Sequence, residues 1–153
     1  MVTEEEIFMS RALDQAHAAG RRGEVPIGAL VVQADTGEIL AEAGNSPIAQ
    51  HDPTAHAEIL ALRAACRHVA NYRLNQCHLY VTLEPCAMCA TAISFARIAR
   101  LIFGAEDEKG GAVVHGPRLF DQVTCHYRPD VLGGIMAEPA GQLLKDFFAA
   151  RRA

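Results

Sequence analysis

Two short segments carry residues whose types and spacing can do chemistry: His56-Ala57-Glu58 and Pro85-Cys86-Ala87-Met88-Cys89. One imidazole and two thiolates make a Cys₂His donor set for Zn²⁺, a set that leaves a fourth tetrahedral position free. Water at that position titrates at roughly pH 7 instead of far above neutrality. Glu58, two residues past His56, is then a carboxylate beside an activated water, and it reads as a general acid/base and not as a fourth ligand. Alone, C-x-x-C also suits a redox dithiol or half of a structural zinc site. A structural site asks for a second Cys or His pair, and the sequence has no second C-x-x-C. A thioredoxin-type motif calls for neither an upstream His-x-Glu nor a proline directly before its first cysteine.

The elements that position these residues follow from their flanks. Thr54 can cap a helix running from Ala55 to about Val69, with Ile59, Leu62, Ala65 and Cys66 on one face. Pro85 suits the first position of a helix reaching about Ala96. Both candidate segments therefore fall at helix N-termini, whose partial positive charge and free N–H groups favour thiolate over thiol. Cys86 and Cys89, three apart, are neighbours on one helical face. His56 and Glu58 are two apart and can reach one centre from different directions only at a helix end.

Elsewhere, the Thr3-x-x-Glu6 capping box and Gly20 bound a helix over residues 3–19, with Ile7, Ala12, Leu13 and Ala16 at helical spacing. Ile27–Val32 is an unbroken apolar run, as expected of a strand buried on both faces. Turn residues at 34–38 join it to a second strand, Ile39–Ala43, in a hairpin. Residues 44–54 read as a loop, His78–Leu83 as a third strand and Arg100–Ala105 as a fourth. Residues 106–134, with glycines at 110, 111, 116, 133 and 134, are irregular by pattern. A last helix from about Pro139 to Arg152 is expected to bury Leu143, Leu144, Phe147 and Phe148. Strands alternating with helices predict an α/β layered sandwich, one domain over residues 1–153.

Half of the residues are hydrophobic and 21% are charged, an ordinary globular balance. The acidic N-terminus lacks the basic start and apolar run of a signal peptide, and no stretch approaches a membrane span. Five cysteines, an odd number, suit a reducing compartment, and the cytoplasm is expected. A formal net charge of −4 argues against broad, non-specific nucleic-acid binding and against duplex DNA as partner. A local basic face stays open, since twelve of the fourteen cations are arginine.

H-x-E followed by P-C-x-x-C is the signature of zinc-dependent nucleobase deaminases. Beyond it, Thr54–Ile59, Asn71-Tyr72-Arg73-Leu74 and Leu79–Cys89 closely resemble the bacterial tRNA-specific adenosine deaminases, of the cytidine/deoxycytidylate deaminase superfamily. The likeness extends through Glu24–Ala29, Gly44-Asn45, Ala96-Arg97-Ile98, Phe103-Gly104-Ala105, Asp107 with Lys109, and Asp146-Phe147-Phe148, nearly the whole chain.

The resemblance implies a cytidine deaminase-like three-layer α/β/α sandwich with a mixed central sheet. It implies one Zn²⁺ per subunit on His56, Cys86 and Cys89, with Glu58 shuttling protons while adenine is attacked at C6, leaving inosine and ammonia. The implied substrate is the wobble adenosine of a tRNA anticodon loop, bound by a homodimer whose RNA sites use both subunits. Asn45 matches the family's base-binding asparagine, whose amide offers a donor and an acceptor. Asp107 and Lys109 match the loop that contacts flanking nucleotides, and Phe148 matches an aromatic near the pocket. On the residues alone, Asn45 is a turn residue, Asp107 and Lys109 belong to a solvated loop, and Phe148 is a core phenylalanine. Glu106-Asp107-Glu108 is more acidic than an RNA surface favours. Residues 110–120 form a segment that differs in length and sequence among family members.

Two other functions fit parts of the sequence. A deaminase of a free base such as guanine or cytosine needs no basic groove, which suits the acidic balance. A non-catalytic RNA-binding subunit would hold zinc structurally, but such relatives lose the shuttle carboxylate that Glu58 supplies here. His51, His78, His115, His126, Cys66, Cys77 and Cys125 lack paired spacing and read as core or surface residues.

Overall fold

The Thr3-x-x-Glu6 box closes in both directions: Thr3 Oγ1 accepts from the Glu6 N–H at 3.1 Å, and the Glu6 carboxylate accepts from the Thr3 N–H at 3.0 Å. It starts α1 (Glu4–Arg21) in the structure, a computed structural model that describes residues 1–152. The helix buries Met9, Ala12, Leu13, Ala16 and Ala19. Ile7, expected on that stripe, is 56% exposed. At 3.6 residues per turn it lies about 200° round the helix from Met9.

The sheet is assembled from β1 (Gly28–Gln33), β2 (Ile39–Gly44), β3 (Cys77–Leu83), β4 (Arg100–Ala105) and β5 (Asp130–Leu132), in the order β2-β1-β3-β4-β5. β1 runs antiparallel to both β2 and β3, whereas β3, β4 and β5 are parallel, so the sheet is mixed as expected. Alternation along the strands separates two cores. Ala29, Val31, Leu79, Val81, Leu101 and Phe103 face α3 (Ala57–Val69) and α4 (Ala87–Phe95). Leu30, Val32, Tyr80 and Ile102 face Met9 and Ala12 of α1. On that second side α5 (Ala137–Arg152) joins α1, with Ala140 packed among Leu13 and Ala105. Helices on both sides of one sheet make the three-layer α/β/α sandwich.

Three expectations need correction. The 44–54 loop contains a short helix, α2 (Pro47–Gln50), and the 106–134 stretch contains a 3₁₀ turn at Leu119–Asp121 as well as β5. Helix α5 starts at Ala137, and of its apolar residues only Ala140 is fully buried. Leu143, Leu144 and Phe147 are half-buried and Phe148 is 42% exposed. The helix meets the sheet at its first turns, where Ala140 sits over Gly104, and its far end is tied to the end of α1 by Arg151 on the Gly23 carbonyl. Among the described residues no helix is long and apolar enough to cross a membrane.

Candidate metal centre and active site

Parallel strands present their C-terminal ends on one edge, where chain crossings open a crevice. β3 ends at Leu83, and Glu84-Pro85 carry the chain into α4; α3 begins on the same side of the sheet. His56 is the N-cap of α3 and Cys86 the N-cap of α4, both with extended backbone and neither making a side-chain capping bond. Each side chain is thus free to turn towards the other. His56 Nδ1 lies 3.7 Å from Cys86 Sγ and 3.5 Å from Cys89 Sγ. The three donor atoms lie within 4.8 Å of one another, and among the described residues no fourth His, Cys, Asp or Glu joins the cluster.

These spacings suit zinc. A tetrahedron with Zn–N near 2.0 Å and Zn–S near 2.3 Å has edges of about 3.5–3.8 Å, the range the His–Cys pairs occupy. The donors are also poised electrically. A hydrogen bond from the Cys89 thiol, opposed by burial and aided by His56, brings the Cys86 pKa down to about 4. The Cys89 thiol, as donor and buried, is pushed well up, and the bond to Cys86 raises His56.

Glu58 sits in the first turn of α3, 4% exposed. Burial raises its pKa to about 7; its own backbone N–H opposes the shift, the Cys86 charge adds to it, and His56 and the Cys89 thiol oppose it. A carboxyl balanced near neutrality can accept and return a proton, as an acid/base requires.

Asn45 follows β2 and is buried. Its Oδ1 accepts from the Ala57 N–H at 2.8 Å, so Asn45, and not Thr54, caps α3. Thr54 instead bonds Asp52 through both its N–H and its hydroxyl. The asparagine therefore touches the residue between His56 and Glu58 and keeps Nδ2 as its free donor. Asp107 and Lys109 lie in the loop after β4, where Asp107 Oδ1 accepts from the N–H groups of Lys109 and Gly110. Phe148 is not brought to this cluster by any contact among the described residues: it stacks edge-on with Phe147 on α5, which belongs to the opposite layer.

Two buried carboxylates escaped the sequence reading. Glu24 accepts from the Ile48 and Ala49 N–H groups and anchors α2 beside Asn45. Glu84 accepts from the loop after β4 and from His115, which is therefore not an idle surface histidine. A carboxylate at the C-terminal end of a buried strand was the one available signal.

Comparisons with known proteins give the family. A family model described as MafB19-like deaminase matches residues 3–152. The chain is 51% identical over 145 residues to a tRNA-specific adenosine deaminase from Agrobacterium fabrum, covering 95% of this chain and 94% of that one. It is 47% identical over 148 residues to the one from Haemophilus influenzae, covering 97% and 85%. A solved structure from a study of A-to-I editing by tRNA:A34 deaminases superposes with a TM-score of 0.88 at 51% identity, over 90% of this chain and 99% of that one.

Proposed function

The chain belongs to the MafB19-like deaminases and, by its relatives, to the tRNA-specific adenosine deaminases, and on that premise we propose that it hydrolyses the wobble adenosine of a tRNA to inosine. The observation that carries the proposal is the His56–Cys86–Cys89 triangle with Glu58 buried beside it. The deaminase family is zinc-dependent; His56 Nδ1, Cys86 Sγ and Cys89 Sγ would hold one zinc per chain, which when bound would supply the Lewis acidity that activates water near neutral pH.

Glu58 takes one proton from the attacking water, holds it at a carboxyl that burial favours in its neutral form and passes it to the purine ring nitrogen; it then carries the water's second proton to the departing amine, which leaves as ammonia. Asn45, with Oδ1 engaged on α3, offers Nδ2 to an acceptor on the purine edge. The helix occupies one lone pair of Oδ1, and Nδ2 is the donor left for the base. An anticodon loop suits such a site because its bases can leave the stack. Asp107 and Lys109, on the adjoining loop, and Phe148, on α5, are assigned to flanking nucleotides on the family match alone.

A homodimer is the assembly that best fits the surface. A groove of about 330 Å³ between α3 and α4 is lined by Ile59, Leu62, Cys66, Tyr72 and Phe95, and Tyr72 and Phe95 are among the large exposed apolar side chains. Covering such a patch with a second copy removes it from water. Phe95→Glu is expected to convert the dimer to monomer in sedimentation, and a dimer that survives it would exclude this face. The five cysteines are unbridged, which suits the reducing cytoplasm, and one five-stranded sheet with helices on both faces supports a single domain.

The deciding assay incubates the zinc-loaded protein with tRNA-Arg carrying adenosine at the wobble position, and with free guanine as control. Inosine at that position is expected; its absence overturns the proposal, and turnover of guanine alone would point to a free-base enzyme.

A further inference from the structure

Beyond β4 the chain folds around a single carboxylate. Glu84 is 2% exposed. Its Oε1 accepts from the Asp107 N–H at 3.0 Å, and its Oε2 accepts from the N–H groups of Val113, Val114 and His115 at 3.0, 2.9 and 3.1 Å. The His115 ring completes the set, with Nδ1 2.8 Å from Oε1 and Nε2 3.6 Å from the Glu106 carboxylate. Five donors more than fill the roughly four lone-pair sites of an ionised carboxylate, so Glu84 has nothing left to offer a ligand. Burial opposes its charge, but these donors outweigh burial and hold its pKa below the usual value.

The loop is pressed onto this carboxylate. A Cβ at Gly111 would stand 2.4 Å from Glu84 Cδ and 2.5 Å from the Asp107 carbonyl oxygen, so only glycine lets the backbone close there. The Ala112 N–H donates to the Pro85 carbonyl at 2.9 Å. Residues 107–115 are thereby bonded to both residues that precede Cys86, a candidate zinc ligand. Lys109 is exposed on this same loop, and Asp107 is partly so, its Oδ1 accepting from the Lys109 and Gly110 N–H groups.

We propose that Glu84 and His115 are positioning residues for the RNA: together they hold the 106–116 loop at the rim of the metal centre, so that Asp107 and Lys109 meet the nucleotides flanking the extruded base. The inference rests on the tRNA reading given above. Neither residue touches the reacting atoms or transfers a proton. A loop already ordered lowers the entropy cost of binding, whereas a loosened one must be ordered by the substrate. The effect therefore falls on binding and leaves the chemistry of bound substrate intact. His115 is the one side-chain donor among the five and is partly exposed, so it can be changed without removing a buried group.

The test compares zinc-loaded wild type, His115→Ala and His115→Asn on an anticodon stem-loop with a wobble adenosine. Zinc content and amide hydrogen exchange over residues 107–115 are read in parallel. For His115→Ala we expect KM to rise about tenfold, with kcat within about twofold of wild type, zinc content unchanged and faster exchange at 107 and 113–115. Asn presents an amide N–H near the position of Nδ1, and His115→Asn is expected to recover most of the lost affinity and exchange protection. An unchanged KM in His115→Ala, a fall in kcat with loss of zinc, or no recovery in His115→Asn would each overturn the positioning role while the tRNA reading stands. A wild type that forms no inosine overturns that reading, and the positioning role with it.

Discussion

His56 and Cys86 stand at N-cap positions and make no capping bond, whereas Glu84, two residues before Cys86, has both oxygens occupied by five donors. The contrast divides labour around one crevice. At the cradle, helix geometry is maintained by other groups, with Asn45 supplying the acceptor that α3 needs, so the imidazole and thiols are free for a metal. At the rim, a buried side chain is wholly committed to four backbone N–H groups and the His115 ring, and it is the loop it holds that faces outward. A buried acid need not be reactive. What distinguishes Glu58 from Glu84 is the number of donors: burial dominates at Glu58 and lifts its pKa to about 7, while hydrogen bonds dominate at Glu84 and lower it.

The comparison breaks most visibly at the cradle. Cys89→Ala removes a fully buried donor and is expected to abolish zinc binding and lower deamination by at least about 10³-fold, since several kcal/mol of charge stabilisation goes with the ion. Elemental analysis beside the inosine assay checks it, and a variant that keeps full zinc would remove Cys89 from the ligand set. Glu58→Gln should separate proton transfer from metal binding. Zinc stays near one per chain while the rate falls about 10²–10⁴-fold, the usual contribution of a positioned acid/base. Retained activity would mean that another group carries the proton. In both variants, exchange protection over 107–115 should stay at the wild-type level if rim and cradle are separable.

The sequence exposes the cradle because metal ligation imposes residue types at fixed spacing, and both segments lie at helix starts set by local rules. The strands were legible for a similar reason: Ile27–Val32 and Leu79–Val81 are apolar on both faces, as the centre of a covered sheet requires. The rim was hidden because its order comes from groups distant in sequence. Glu84 finds its donors 23 to 31 residues downstream, and its place at the end of a buried strand is all that locally sets it apart from a solvated acid. The α3 cap misled for the same reason: local rules select Thr54, but the acceptor arrives from Asn45 at the end of the hairpin. β5 has three residues and exists only through its pairing with Arg100–Ile102. Leu143, Leu144, Phe147 and Phe148 repeat at helical spacing, yet α5 meets the sheet through Ala140, so periodicity identified the helix and not its buried turns.

The smallest expected effect concerns the rim under changing pH. The bond to Glu84 raises the His115 pKa above 6.5, burial opposes it, and the charges of Glu84, Glu106 and Glu108 add to it. A histidine with a raised folded pKa contributes its stabilisation fully below 6.5 and loses it as pH climbs through the higher folded value. Glu84 has the opposite sign: its lowered folded pKa means that its contribution is complete above 4.5 and fades as pH falls through the lower value. The loop should therefore be held tightest between these limits and loosen first on the alkaline side. Hydrogen exchange at 107 and 113–115, corrected for its intrinsic dependence on hydroxide, should show protection declining above neutrality in wild type. In His115→Asn, which cannot titrate in this range, the decline should vanish. A wild-type profile that stays flat across neutrality would mean that the four backbone donors hold the loop without the imidazole's charge. In that case the rim would depend on Glu84 alone.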